Sequence, residues 1–377
     1  MKVLYIGGFE LPDRNAAAHR VVSIAKTLRY AGHEVEFIGV SKNAEEIGKT
    51  FCIDGFKFTT IAYPSGIRSW IKQIVEFIPL KTIDKSRPNV VILYNLYAFA
   101  QKRIINYCHK NNIKVIGDIT EWYQAHGCSI REIIRRTDIR LRMKKYNFRL
   151  DGIIAISSFL HDYYKSKVPT VYIPPTVDYS DEKFGRDRIL EIHNPIRLIF
   201  SGSISAEKDS IGEIVQLVKD DRRFQLDIIG VDKIQFYKIF KTYAVEADNI
   251  VFHGHIEHKK AIAALKESDF QLVIRDMNLV TKAGFPTKFV ESLTCGIPVI
   301  ATPSSNICDY LINEVNGFVI DEKQSLKQCL DRIGNMTGKE ILDIKKRAVD
   351  MTDFSFQNYA NEINTLIAGN ENSGIDK

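Results

Sequence analysis

The residues best suited to chemistry lie in the stretch AGFPTKFVESLTCGIPVIATPSS, residues 283–305. Ala283, Gly284, Phe285, Pro286 and Thr287 form a turn that runs into a predicted helix carrying Lys288 and Glu291. The helix ends at Cys295-Gly296, and Pro298-Val299-Ile300-Ala301 reads as a buried strand. A glycine turn at a helix N-terminus leaves backbone N–H groups free, with the positive end of the dipole behind them, and so makes an anion site. Lys288 adds a point charge suited to phosphate. Glu291, one turn deeper, can accept hydrogen bonds from two sugar hydroxyls. Phosphate at the mouth with ribose beside it describes a site for a nucleotide-diphosphate sugar. A structural strand–helix unit with a glycine kept for packing would use the same residues.

Further segments carry reactive types. Gly7-Gly8 allows close backbone approach, Ala16-Ala17-Ala18 leaves room, and Arg14, His19 and Arg20 bring charge to the next helix start. An ordinary strand–helix loop with solvated charges is the alternative. The run Asp118 to Gly127 holds two carboxylates (Asp118, Glu121), two aromatics (Trp122, Tyr123) and His126. Aromatics stack on sugar faces and carboxylates bind hydroxyls, although a capping Asp118 and a core Trp122 would read the same way. His253, His255 and His258 cluster in a predicted loop, without the helix spacing of a zinc site.

These residues need a scaffold that places loops on one edge. Val3–Ile6, Val35–Val40, Val90–Tyr94, Val115–Asp118 and Ile153–Ile156 read as buried strands, with helices over Val21–Tyr30 and Phe159–Lys165, the latter capped by Ser157-Ser158. The rhythm breaks at Pro174-Pro175 and the polar stretch 179–195. It restarts in Arg197–Ser201, Leu226–Ile229, Ile250–Phe252, Phe270–Ile274, Pro298–Ala301 and Phe318–Ile320. Alternating strand and helix predicts a doubly wound parallel α/β sheet, here twice, with ligand loops at the strand C-termini. The expected organisation is an N-terminal domain 1–178, a linker 179–195, a C-terminal domain 196–355, and a helix with a frayed tail over 356–377.

In their order these segments resemble family 4 glycosyltransferases. The resemblance implies the GT-B fold, two Rossmann-like doubly wound domains facing a central cleft. Pro286-Thr287-Lys288 and Glu291 match the pattern P-[ST]-K-x-x-E followed by G-x-P-V-I. The family's second glutamate, eight positions earlier, is Ala283 here, so backbone groups of Gly284 and Phe285 would serve in its place. Phe200 to Asp209 is similar to the family's G-R-L-x-x-E-K-G loop: Gly202 and Lys208 match, and Ser203 stands where an arginine is common. Arg275 could supply the missing charge. Gly230, Gly254 and Ile256 fall where the family borders the nucleotide base. The first loop is similar to the acceptor-side glycine loop, which assigns Gly8, Arg14, Ala17 and Arg20 to the acceptor. Asp118, Glu121 and His126 fall near the transferred sugar. Lys208 and Lys288 would neutralise the leaving diphosphate.

The resemblance implies retaining sugar transfer from a nucleotide-diphosphate sugar, with no cofactor and no metal. A lipid-linked saccharide acceptor in bacterial surface polysaccharide assembly follows from the same likeness. A nucleotide-sugar epimerase and a non-catalytic partner of the same fold are the alternatives. An NAD enzyme is disfavoured, because Gly7-Gly8 is followed by Phe9-Glu10-Leu11-Pro12 and not by G-x-G-x-x-G.

Composition fits. The 377 residues, 45% hydrophobic and 26% charged, suffice for two cores. The six cysteines lack C-x-x-C spacing and read as reduced thiols. MKVLYIGG reads as a first strand and not as a signal peptide, and no apolar run approaches a membrane span. The expected location is cytoplasmic. The net charge of +6 is concentrated in part in Arg131–Arg149, which holds eight basic residues among isoleucines. With the amphipathic stretch Gly66–Leu80, including Trp70 and Phe77, it predicts peripheral docking on an anionic inner membrane face. A solvated helix face is the alternative. No nucleic-acid-binding motif accompanies the charge.

Overall fold

The computed structural model describes residues 1–12, 14–125, 127–184, 191–202, 211–240 and 246–369. The chain divides into two compact units, one of residues 1–176 with the described part of 356–377, the other of residues 177–355.

The first unit holds an eight-stranded sheet. Its strands are β1 (Lys2–Gly7), β2 (Glu34–Ser41), β3 (Thr50–Ile53), β4 (Phe56–Ala62), β5 (Val90–Tyr94), β6 (Lys114–Ile119), β7 (Gly152–Ala155) and β8 (Thr170–Tyr172). Their order is β3-β4-β2-β1-β5-β6-β7-β8, parallel throughout except for the β3–β4 pair. β1, β2, β5, β6 and β7 are apolar runs because helices cover both sheet faces. β3 and β4 were not expected from the sequence. They form an edge hairpin closed by Asp54-Gly55, both at positive φ, the signature of a two-residue turn.

One face of this sheet buries Tyr5, Phe37, Ile92 and Ile154 under Val21, Ile24 and Leu28 of the helix Ala16–Tyr30. Ile363, Leu366 and Ile367 of the C-terminal helix Ala360–Ala368 join this core. The helix is held at its end by Lys114, whose Nζ donates to the carbonyls of Leu366 at 2.6 Å and Ile367 at 3.0 Å. A lysine there complements the negative end of the dipole.

The second unit holds a six-stranded sheet of β9 (Ile196–Ser201), β10 (Phe224–Ile229), β11 (Ile250–Gly254), β12 (Phe270–Val273), β13 (Val299–Ala301) and β14 (Gly317–Val319). The order is β11-β10-β9-β12-β13-β14, all parallel. Winding reverses between β9 and β12, as it does between β1 and β5, and such a switch point opens a crevice at the strand C-termini. Residues 191–193, read as linker, are tied into this unit. Lys345 Nζ donates to the Glu191 carbonyl at 2.6 Å and to Asp269 Oδ1 at 2.7 Å, and the His193 N–H reaches Asp269 Oδ2 at 3.3 Å.

Two residues expected near ligands are engaged by buried protein partners. Asp118 is buried on β6, accepting from the Tyr5 hydroxyl at 2.5 Å and from Arg20, whose NH2 group lies 3.0 Å from Oδ1. The Arg20 NH1 group donates to the carbonyls of Ile173 and Pro174 at 2.9 and 2.8 Å. Burial, then the Asp118 charge, pushes the Tyr5 hydroxyl well up, so it stays a donor. The charge of Arg20 is therefore taken up inside the unit. Arg20→Ala should destabilise this unit by about 3–5 kcal/mol, because it strands a buried carboxylate. The double change Arg20→Met/Asp118→Leu should recover most of that loss. Both tryptophans, Trp70 and Trp122, lie in this unit, so urea unfolding followed by tryptophan fluorescence measures it.

Candidate functional site

In the second unit three adjacent strands end in glycine at the same edge. The Gly202 N–H donates to the Ile229 carbonyl at 3.0 Å, and the Gly230 N–H to the Gly254 carbonyl at 2.8 Å. Gly230 has φ +102°, and a Cβ there would collide with the Gly202 carbonyl. Only glycine allows this approach. A register shift between Ile228 and Ile229 bulges β11 at His253, a device that re-aims chain beside sites. His253 itself is engaged, its Nε2 2.6 Å from Asp227 Oδ1. Ile256 is half-buried just beyond.

The helix Thr287–Thr294 begins after Gly284, Phe285 and Pro286, and no side chain caps it. Gly284 is extended at φ −81°, ψ 175°. The Phe285 ring is buried, edge-on to Phe289 and Tyr310 with centroids 6.0 Å away in each case, so only its backbone faces outward chemistry. Thr287 is half-buried. Lys288 Nζ lies 2.8 Å from Glu291 Oε2, and His258 Nε2 lies 3.1 Å from Oε1. Burial would raise the Glu291 carboxyl, but the Lys288 charge and the His258 hydrogen bond outweigh it and hold the group down at about 2. A fixed carboxylate with two oxygens each accepting one protein donor keeps lone pairs for further hydroxyls.

His258 opens the helix His258–Lys266. The three histidines lack the spacing of a zinc site in the sequence, and no spacing signal links residue 258 to 291. Among the described residues no group of three or more His, Cys, Asp and Glu is arranged to hold a metal ion. Arg275 is half-buried where β12 ends, its backbone pinned by Thr302 Oγ1 at 2.9 Å. Ser203, Lys208 and His126 lie outside the described residues.

In the first unit Gly8 is exposed, with open space where a Cβ would stand. Ala17 is half-buried in the first turn of its helix. Arg14 is drawn away into a two-pronged pair with Glu46, at 2.9 and 2.7 Å. Glu121 is half-buried and bonds the Tyr123 hydroxyl, which burial first and the Glu121 charge second push well up. Lys288, Glu291 and the glycine strand ends are thus gathered within one unit, whereas Arg14, Arg20 and Asp118 are each engaged by a protein partner.

Residues 181–348 match the family model described as glycosyl transferases group 1. An uncharacterized glycosyltransferase of Methanocaldococcus jannaschii is 24% identical over 188 residues, and the match spans about half of each protein, 46% of this chain and 46% of that one. A sucrose-phosphate synthase from Thermosynechococcus elongatus superposes with a TM-score of 0.71 at 14% identity, covering 98% of both chains. Anabaena HepE in complex with UDP and glucose gives 0.68 at 14% identity, covering 98% of this chain and 99% of that one. The lipopolysaccharide outer core galactosyltransferase WaaB gives 0.60 at 14% identity with the same coverage. Residues 181–348 thus carry a glycosyl transferases group 1 match, and the fold of the chain is that of the GT-B glycosyltransferases.

Proposed function

We propose that the protein transfers a sugar from a nucleotide-diphosphate sugar to an acceptor hydroxyl, with the donor bound by the second unit. The carrying observation is Glu291, held as a carboxylate between Lys288 and His258 behind an uncapped helix start. Glu291 accepts the ribose hydroxyls. Lys288, the N–H groups of the Gly284 turn and Lys208 meet the diphosphate. HepE, bound to UDP and to UDP-glucose in its structures, supports this class of donor.

The reaction retains configuration at the sugar carbon. The bond from that carbon to phosphate oxygen breaks with its electron pair going to the diphosphate. The acceptor oxygen forms the new bond on the same face, and its proton passes to the departing phosphate. Fixed positive groups lower the barrier by matching charge that grows on the diphosphate. The acceptor is presented by the first unit beside Gly8.

We further propose that the acceptor is lipid-linked and belongs to bacterial surface polysaccharide assembly, with the protein at the cytoplasmic membrane face. The helix Ile67–Val75 buries no residue, and Ile67, Ile71 and Val75 are exposed. On the helix Ile130–Leu141, Ile130, Ile133 and Ile134 are exposed beside Arg131, Arg135, Arg136 and Arg140. Isoleucines among arginines suit an anionic interface. One expected contributor changes. Phe77 is buried, whereas Trp70, edge-on to Tyr63 and Tyr97 at 6.2 Å each, stays exposed. No described helix is long and apolar enough to cross a membrane.

Glu291→Gln should weaken UDP-sugar binding roughly tenfold to a hundredfold, the worth of hydrogen bonds to a charged acceptor. Calorimetry measures it, and unchanged affinity removes Glu291 from the site. The folded-state value near 2 lies below the ordinary 4.5. The stability contributed by Glu291 is therefore fully present above about pH 4.5 and lost as pH falls toward 2. Donor affinity should show no Glu291 titration between about pH 5 and 8.

Turnover should persist with a chelator present. Loss on chelation, restored by a divalent ion, would show that charge on the diphosphate is met by a metal.

The protein should sediment with anionic vesicles at low salt and be released as salt shortens the Debye length to about 3 Å near 1 M. Ile133→Glu/Ile134→Glu should abolish sedimentation. Equal binding to neutral vesicles, or none to either, overturns the docking proposal.

A further inference from the structure

Glu291 is gripped from two helices, and the two grips differ in kind. Lys288 comes from the same helix one turn back, on a flexible stem, with its side chain 27% exposed. His258 comes from the first turn of the helix His258–Lys266, and its side chain is only 14% exposed. Its chain neighbours Glu257, Lys259 and Lys260 are all exposed. That helix is seated through Ala261, Ile262 and Leu265, which are buried. The ring therefore takes its place from the core and not from the carboxylate. The Glu291 helix is seated as firmly, by Phe289, Val290 and Leu293, and Ser292 Oγ donates to the Ile297 carbonyl at 2.7 Å behind it.

Glu291 is a carboxylate and can only accept, so the hydrogen in the 3.1 Å contact lies on His258 Nε2. The outer torsion of a glutamate side chain is broad. One donor on each oxygen, from two separately packed helices, fixes the carboxyl plane. A ribose offers two hydroxyls on neighbouring carbons, and it gains most from a carboxylate already turned to meet them. Lysine alone does not secure this. In the transferase reading its charge is wanted by the diphosphate, and each hydrogen it turns to phosphate is one it no longer gives to Oε2. The imidazole is short, planar and seated in the core, so it keeps the carboxylate in place while the ammonium swings.

We propose that His258 is a positioning residue of the donor site. It holds Glu291 in the orientation that recognises the ribose 2′- and 3′-hydroxyls, and so sets a preference for ribonucleotides over deoxyribonucleotides. The inference rests on the transferase reading, in which Glu291 meets the ribose. His258 acts through Glu291 and not on the donor directly.

The full chain is titrated by calorimetry with UDP and 2′-deoxy-UDP, and with GDP and 2′-deoxy-GDP as a second pair, for wild type, H258F, H258Q and E291Q. The quantity read is the ratio of affinities for the ribose and deoxyribose forms. Wild type should favour the ribose form of the nucleotide it binds at least about tenfold, the worth of a hydrogen bond to a charged acceptor. H258F fills the space without a donor and should bring the ratio below about threefold. H258Q places an amide N–H near the position of Nε2 and should restore most of it. A role in packing alone would weaken both forms together and keep the ratio. An unchanged ratio in H258F, or equal losses in H258F and H258Q, overturns the proposal. E291Q separates the two ideas. If it collapses the ratio while H258F does not, Glu291 still meets the ribose and only the positioning role fails. If E291Q leaves the ratio as it was, or wild type shows no preference or binds neither nucleotide, the donor reading of Glu291 fails and this inference falls with it.

Discussion

A parallel strand can be followed by another only after the chain returns across a sheet face. Every strand C-terminus and every following helix N-terminus therefore falls on one edge of the sheet. Both sheets obey this constraint, with the single exception of the β3–β4 hairpin. It gathers Gly202, Gly230 and Gly254 on one edge of the second sheet, and it sets Gly8, Asn95 and Glu121 after β1, β5 and β6 of the first. Residues far apart in sequence become neighbours through topology alone. The edge is rich in free N–H groups, so it favours anionic and hydroxyl-bearing ligands.

Two buried carboxylates illustrate what decides between structure and chemistry on such an edge. Asp118 is surrounded by a tyrosine hydroxyl and a guanidinium that also grips two carbonyls. Its neighbours come from β1, the helix after it and the segment after β8, so it fastens distant parts of one unit. Glu291 is also buried, though less deeply, and it has one donor on each oxygen, from its own helix and from one other. The first arrangement leaves little capacity for a ligand, and the second leaves lone pairs in reserve. The count of donors separates them.

Most of the fold was legible because its strands are short apolar runs separated by helical spacing, and these need no long-range information. The GT-B expectation rested on the order of several weak motifs. The edge hairpin was missed, although Asp54-Gly55 between alternating residues is a local signal that could have found it. Other misses had no local signal. The partnership of Arg20 with Asp118 spans 98 positions, so a loop reading placed both toward ligands. His258 and Glu291 meet only because two helices cover one sheet. Arg142 looks in sequence like one more residue of a basic helix, but it opens a π-helical turn, Arg142–Tyr146, and is buried. Phe77 follows the amphipathic stretch in spacing, yet it takes φ +50° and goes into the core.

Ala283 shows how a departure from a family pattern can be absorbed. The position is fully buried at the end of the helix Leu279–Ala283, so a glutamate in this conformation would have to bury its charge or move the turn. The surrounding chain is instead stiffened. Asn278 caps that helix through the N–H groups of Val280 and Thr281, at 2.9 and 3.0 Å, and Thr281 Oγ1 donates to the Asp276 carbonyl at 2.6 Å. Phe285 then anchors the turn in an aromatic cluster with Phe289 and Tyr310. A backbone held from both sides presents its N–H groups in fixed directions, and a preorganised dipole needs no reorganisation when charge develops in front of it. In the transferase reading proposed above, these backbone groups are the candidates for the recognition that a second glutamate would supply. The side chains around them act by holding the turn still.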